Sequence, residues 1–89
     1  MKTREIVIVN RLGLHARAAA KLVKLSSGFA ADIDIEKDAQ RVNCKSIMGV
    51  MMLAASCGST VTIHADGDDE AAALEAVVDL IERRFDEDE

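Results

Sequence analysis

Two segments of the chain alternate strictly between polar and apolar residues, and this alternation constrains the fold more than any other feature. They run from Ala31 to Glu36 and from Thr60 to Ala65. Successive side chains of a β-strand point to opposite faces, so each segment predicts a strand with one buried face and one face in water. The predicted buried positions are Ile33, Ile35, Val61 and Ile63, and the predicted exposed positions are Asp32, Asp34, Thr62 and His64.

Helical patterns separate and follow these strands. From Ala16 to Ser27, apolar residues recur three and four positions apart, and Gly28 marks the end of the predicted helix. Ile47 to Ala55 is predicted to form a short helix that Ser46 caps. Glu70 to about Phe85 carries an apolar stripe at helical spacing and is predicted to form the last helix.

Two further strands complete the predicted fold, from Arg4 to Val9 and from Arg41 to Cys44. The acidic cluster Asp66 to Asp69 is expected to cap the last helix, and the run Asp86 to Glu89 is expected to be solvated. The resulting order is β-α-β-β-α-β-α. It predicts an α+β fold, a two-layer open-faced sandwich in which three helices cover one face of a four-stranded antiparallel sheet. We expect a single domain over residues 1–89.

The net charge of −5 hides a strong segregation of charge along the chain. Residues 1–24 carry six basic side chains and one acidic, whereas residues 66–89 carry eleven acidic and two basic. The acidic total and only two aromatic residues argue against a nucleic-acid partner, which requires a broad basic surface or stacking rings.

The sequence also bears on where the protein works. No apolar run approaches the roughly 18 residues of a membrane span, and the first residues show no signal-peptide pattern. We therefore expect a cytoplasmic protein without direct membrane insertion. Cys44 and Cys57 match no metal or redox spacing and are expected to be free thiols.

The segment Gly13-Leu14-His15-Ala16-Arg17 brings a histidine, an arginine and a helix N-terminus together. Free N–H groups at a helix N-terminus attract phosphate, and a guanidinium forms paired hydrogen bonds with phosphate oxygens. A histidine alone would be interpreted as an ordinary surface residue, but these neighbours favour a nucleophile whose product anion is stabilised. No carboxylate lies near His15 in the sequence and no metal-ligand spacing surrounds it, so acyl transfer and metal binding are not indicated.

Two motifs resemble those of a known family. Asn10-Arg11-Leu12-Gly13-Leu14-His15-Ala16-Arg17 resembles the active-site segment of the HPr family, the histidine-containing phosphocarriers of the bacterial phosphoenolpyruvate-dependent phosphotransferase system. Lys45-Ser46-Ile47-Met48-Gly49-Val50-Met51 resembles that family's regulatory serine segment. The resemblance covers essentially the whole chain. One position departs from it, because Ala18 stands where the family usually has proline; alanine is an excellent helix former, so we expect the helix to survive.

The resemblance implies a carrier acted on by partner enzymes, without a cofactor, rather than an enzyme. It implies that His15 accepts a phosphoryl group on Nδ1 from phospho-enzyme I and passes it to IIA-type acceptors. Arg17 would stabilise the phosphate, which the backbone of Ala16 and Arg17 would bind. It also implies that an HPr kinase/phosphorylase phosphorylates Ser46, adding roughly −1.5 to −2 charges near the docking face. We assign Ser46 both this role and that of a helix cap.

The predicted partner surface combines apolar and basic residues. The helix from Ile47 to Ala55 is apolar nearly all round, so either it is buried or part of it is exposed beside His15. In the second interpretation Val50 and Leu53 face the core. The candidate partner-binding residues are Leu14, Ala20, Lys24, Lys45, Ile47, Met48 and Met51. Transient docking of this kind suits a monomer.

Two other classes of function stay open on the sequence. One is a regulatory binding module, of a nitrogen-branch or kinase-controlled type, with little direct role in sugar transport. The other is a small enzyme that uses His15 as an acid or base. The enzyme is disfavoured because no paired carboxylate or metal set accompanies the histidine in the sequence.

Overall fold

The computed structural model describes residues 1–87, most of which lie in four strands and three helices. The strands are β1 (Lys2–Val7), β2 (Asp32–Lys37), β3 (Gln40–Asn43) and β4 (Thr60–Asp66). The helices are α1 (Ala16–Ser27), α2 (Ile47–Met52) and α3 (Glu70–Glu82), and a 3₁₀ turn follows at Arg84–Asp86. The predicted element order is confirmed. No helix among these residues is long and apolar enough to cross a membrane.

The sheet has the spatial order β1-β4-β2-β3, and every neighbouring pair is antiparallel. Between β2 and β4, Ile35 lies opposite Ile63 and Asp34 lies opposite His64. The isoleucines are fully buried in one core with side chains from the helices, whereas Asp34 and His64 point to the opposite face and stay partly exposed. The alternation in the sequence therefore predicted the open-faced sandwich correctly.

Three predicted boundaries in the first half of the fold, both ends of β1 and the end of α2, are wrong by two or three residues. β1 covers Lys2–Val7 rather than Arg4 to Val9, because β4 extends far enough to pair Ala65 with Lys2. α2 ends at Met52 rather than at Ala55, because Ala54 takes a left-handed backbone conformation with φ 54°. The predicted ends of β2 and β3 shift by a single residue.

The C-terminal end differs most from the prediction. α3 ends at Glu82 rather than near Phe85, and the three residues of the following turn all have positive φ, between 54° and 63°. This turn brings the chain back toward α1 and buries Phe85 completely in the core. Glu87, which was predicted to be solvated, lies partly buried against the start of α1. Asp88 and Glu89 lie outside the described residues.

Asp69 stands at the start of α3 but does not cap the helix with its side chain, contrary to the prediction. Its carboxylate accepts the backbone N–H groups of Ala30 and Ala31 at 2.9 Å and 2.8 Å. These hydrogen bonds, that of Ala30 first, lower the pKa of Asp69 below its ordinary value. The side chain thus links the chain after α1 to the beginning of α3.

The two cysteines are free thiols, as predicted. Cys44 lies at the end of β3 in the core, and burial raises the pKa of its thiol to about 12. Cys57 lies on the exposed connection before β4. The two thiols therefore stand in opposite environments.

Candidate functional site

The loop between β1 and α1 determines where His15 lies. Gly13 has φ 65°, and a Cβ atom there would stand 2.6 Å from the carbonyl oxygen of Ala55, so the position requires glycine. The N–H of Leu14 donates to the same carbonyl at 2.8 Å. The fully buried side chain of Asn10 donates to the Gly13 carbonyl, also at 2.8 Å. These contacts tie the loop to the segment after α2 and place His15 at the start of α1.

His15 is the N-cap residue of α1, with an extended backbone (φ −73°, ψ 177°). Its carbonyl accepts the N–H of Ala19 at 2.8 Å, which is the first hydrogen bond of the helix. The N–H groups of residues 16–18 precede that bond and form the anion-attracting end of the helix. α1 is intact with Ala18 in its first turn, as expected, and Ala18 keeps an N–H group that proline would lack.

The ring of His15 contacts a carboxylate from the far end of the chain. The side chain of His15 is 27% exposed, and its Nε2 atom contacts Oε2 of Glu87, whose side chain is 15% exposed. The other carboxylate oxygen, Oε1, accepts a hydrogen bond from Nδ2 of Asn10 at 3.0 Å. The sequence showed no carboxylate near His15 because 72 positions separate the two residues.

An open cleft of about 700 Å³ surrounds His15. Three basic residues, Arg11, Arg17 and Lys21, line it together with Asp86 and Glu87. Arg17 is exposed and forms no ion pair within residues 1–87, so its guanidinium points to no fixed counter-charge in that part of the chain. The predicted combination of a histidine, an arginine and a helix N-terminus is therefore assembled in space.

Glu87 is held in its charged form. Burial raises the pKa of its carboxyl, but the hydrogen bonds from Asn10 and His15, with the nearby charge of Lys21, outweigh burial and lower that pKa overall. Lys21 also donates from Nζ to the carbonyl oxygen of Phe85 at 2.6 Å. The segment that carries Glu87 is thus held at two points, at α1 by Lys21 and in the core by the buried ring of Phe85.

Ser46 caps α2, as predicted. Its backbone is extended, and its Oγ atom accepts the N–H of Gly49 at 3.2 Å. The residue is exposed. The neighbouring Lys45 is partly buried, and its Nζ donates to the carbonyl oxygen of Phe29 at 2.8 Å, so this ammonium is hydrogen-bonded to the backbone and is not freely solvated.

The exposed side of α2 is apolar. Its exposed side chains, here called the apolar patch, are Ile47, Met48, Met51 and Met52. Val50 and Leu53 are buried, which agrees with the interpretation that only part of this segment faces the core. Met48 and Met52 are each 67% exposed, and such a surface is typical of a docking site.

The remaining candidate partner-binding residues divide into two groups. Ala20 and Lys24 are exposed on α1. Leu14 is buried in the core, so it does not belong to the exposed surface. Two exposed apolar residues close to these candidates were not predicted: Met52 lies on α2, and Leu12 lines the cleft at His15.

The fold and the site define a small open-faced sandwich protein that presents one histidine at an anion-attracting helix end. The chain matches the family model described as "PTS HPr component phosphorylation site" over residues 2–83. It is 51% identical over 89 residues to the phosphocarrier protein HPr of Cupriavidus necator and 47% identical over 90 residues to that of Pseudomonas aeruginosa, and each alignment covers both chains completely.

Solved structures that are similar to this chain are also HPr proteins. HPr-C-His from Thermoanaerobacter tengcongensis is 50% identical with a TM-score of 0.96, and the match covers both chains completely. A phosphocarrier protein HPr from Bacillus anthracis is 44% identical with a TM-score of 0.87, covering 90% of this chain and 95% of the other.

This chain belongs to the HPr family of phosphocarrier proteins. The resemblance found in the two sequence motifs is thereby confirmed. Membership implies partners within the phosphotransferase system in general. One related structure from Thermoanaerobacter tengcongensis, 52% identical to this chain, is described as an HPr dimer.

Proposed function

We propose that the chain carries a phosphoryl group on Nδ1 of His15, accepting it from phospho-enzyme I and passing it to IIA-type acceptors. The position of His15 carries this proposal. The ring is partly exposed, follows a rigidly held loop, and begins α1 beside three N–H groups that precede the helical hydrogen bonds. An imidazole in such a place is a nucleophile whose phosphorylated product is stabilised by the surrounding positive potential.

Arg17 and the helix N-terminus are proposed to hold the phosphate. The guanidinium of Arg17 lies at the same cleft as the ring and is exposed, so it is available to form paired hydrogen bonds with phosphate oxygens. The backbone N–H groups of Ala16 and Arg17 supply further donors. The chain acts as a carrier in this scheme, because it is phosphorylated by one partner and dephosphorylated by another.

Docking and regulation are assigned to the surface around α2. The apolar patch, with Ala20, Lys24 and Lys45, is proposed to contact the partners. The exposed hydroxyl of Ser46 is proposed as the target of an HPr kinase/phosphorylase. A phosphate there would place about two negative charges at the edge of the patch and weaken the docking of an acidic partner. Leu14 is left out of this surface because it is buried.

The chain contains two histidines, which provides a matched control. Purified wild type, His15→Ala and His64→Ala would be incubated with enzyme I and radioactive phosphoenolpyruvate. His64 lies in the sheet and pairs with Glu36 at 2.8 Å, so its variant should be labelled normally. Wild type should take up acid-labile label and release it to a IIA-type protein, and His15→Ala should take up none.

Labelling of His15→Ala, or no labelling of wild type, would contradict the proposal. If wild type resisted enzyme I but was phosphorylated on Ser46 by the kinase, the regulatory binding module would be the better assignment.

We further propose that a single domain of residues 1–89 works as a monomer. Sedimentation equilibrium should give a mass near 9.6 kDa, and twice that mass would contradict it.

A further inference from the structure

We infer that Glu87 is a positioning residue for His15: its carboxylate holds the hydrogen on Nε2 and thereby presents Nδ1 as the nucleophile. This inference rests on the proposed function, because it concerns the reaction of the same ring. The family match ends at residue 83 and does not include Glu87. The role is therefore argued from the contacts of this chain alone.

The carboxylate is fixed from both sides. Oε2 of Glu87 contacts Nε2 of His15, and Oε1 accepts a hydrogen bond from Nδ2 of Asn10 at 3.0 Å. Asn10 is fully buried and also donates to the Gly13 carbonyl at 2.8 Å, so one side chain positions both the loop before His15 and the carboxylate that meets its ring.

The backbone of the segment is also held in place. The ring of Phe85 is fully buried, and Nζ of Lys21 donates to the Phe85 carbonyl at 2.6 Å. Glu87 follows two residues later, and its side chain is only 15% exposed. A carboxylate anchored by a core aromatic residue, a lysine and a buried amide is a constructed contact rather than a chance approach of a chain end.

The contact decides which ring nitrogen can react. An ionised carboxylate has no hydrogen to donate, so Nε2 must be the donor in the bond between His15 and Glu87. In the neutral ring the lone pair then lies on Nδ1, which has no hydrogen-bond partner within residues 1–87. Glu87 also covers Nε2 and excludes it from an incoming phosphoryl group.

The same contact stabilises the charge that forms during transfer. The lone pair of Nδ1 forms a bond to phosphorus, and the bond from phosphorus to the donor atom breaks, with its electron pair leaving on the donor. The hydrogen on Nε2 stays where it is, so the ring gains positive charge. The carboxylate of Glu87 is already placed beside that charge and needs no reorganisation to stabilise it.

The test compares Glu87→Ala with Glu87→Gln and with a control, Glu75→Ala. Glu75 is exposed on α3, so its variant removes the same charge without touching the site. Two quantities are measured: the ¹H–¹⁵N signal of the Nε2-bound hydrogen of His15, and the initial rate of phosphoryl uptake from phospho-enzyme I. Melting temperatures check that every variant is folded.

Wild type and Glu75→Ala should show a slowly exchanging Nε2 hydrogen and equal uptake rates. Glu87→Ala should lose that signal and take up the phosphoryl group about tenfold more slowly, as expected for one lost charge-assisted hydrogen bond that water partly replaces. Glu87→Gln keeps a hydrogen-bond acceptor without the charge, and its rate of phosphoryl uptake should lie between those of wild type and Glu87→Ala.

An unchanged or faster rate in Glu87→Ala would overturn the inference, and so would an Nε2 signal that survives the substitution. These results are distinct from a failure of the proposed function. In that case wild type itself would not be labelled on His15, whereas the Nε2 signal and its dependence on Glu87 would still be measurable.

Discussion

Replacing Gly13 by alanine should disturb both the fold and the site, because the loop before His15 depends on that glycine. Its φ of 65° lies in the left-handed region. A Cβ atom would also stand 2.6 Å from the carbonyl oxygen of Ala55 and 2.7 Å from the Cα atom of Ser56. Both neighbours are backbone atoms, so they cannot move aside as the end of a flexible side chain would. The loop itself has to shift.

The cost has two parts. Holding an L-residue in the left-handed region costs about 1 to 2 kcal/mol. Forcing an extra carbon against packed backbone costs roughly 1 to 3 kcal/mol more. The sum, about 2 to 5 kcal/mol, is a large share of the stability of a domain of this size. For a chain of this length it corresponds to a fall in Tm of roughly 8 to 40 °C.

Gly58 supplies the control. It has φ 90°, but beyond its two neighbours in the chain no atom lies within 4 Å of the position that a Cβ atom would take. Gly58→Ala therefore carries the backbone cost without the close approach. Urea unfolding of both variants at pH 7 gives the two free energies of unfolding, and their difference isolates the contact with Ala55. Phosphoryl uptake should fall in Gly13→Ala and stay near the wild-type rate in Gly58→Ala.

Equal free energies of unfolding for the two variants would refute this reasoning, because the close approach to Ala55 would then contribute nothing. A normal rate of phosphoryl uptake in a clearly destabilised Gly13→Ala would refute the prediction that this variant takes up the phosphoryl group more slowly. It would show that His15 keeps its position without the constraint that the loop imposes.

Three further predictions concern other parts of the molecule. Ser46→Asp should slow phosphoryl uptake from enzyme I at low salt, and the effect should be smaller at high salt. Its Tm should stay nearly unchanged, because aspartate also caps helices. Equal uptake rates for wild type and Ser46→Asp at low salt would contradict this prediction. Met48→Asp should weaken partner binding in a titration while changing stability by no more than about 0.5 kcal/mol, whereas Val50→Ala, in the core, should cost roughly 1.5 kcal/mol. Asp69 has a lowered pKa, so its contribution to stability is present above the unfolded-state pKa of about 3.9 and is lost as the pH falls through the folded-state value. Asp69→Asn should therefore be less stable than wild type at pH 7 and approach it near pH 3 in urea unfolding, and a constant gap would contradict this.

The sequence was sufficient for the sheet and for α1 because their signals are local. The alternation around Ile35 and Ile63 specifies which face of the sheet is buried, and the tertiary contacts bury that same face. α1 begins and ends where the pattern predicted, at Ala16 and Ser27. His15 and Arg17 were found for the same reason, since the residues that place them are their neighbours in the chain.

The contacts that the sequence did not reveal are those made across the fold. The turn after α3 places Arg84, Phe85 and Asp86 at positive φ without a glycine or asparagine, so nothing in the local sequence indicated that Glu87 would reach His15. Asp69 was predicted to cap α3 because aspartate is a common capping residue and stands directly before the helix. Only the packing of the chain after α1 decides that its carboxylate binds Ala30 instead.

The reactivity of the two cysteines toward a thiol reagent can be used to measure local opening of the protein around Cys44. A thiol reagent at neutral pH should modify the exposed Cys57 at once, whereas Cys44 stays a protonated thiol inside the core. The second equivalent of reagent is then consumed only when the end of β3 separates from the helices that cover it. The slow phase of that titration measures how often this region opens in the native protein, and no cysteine has to be introduced by mutation.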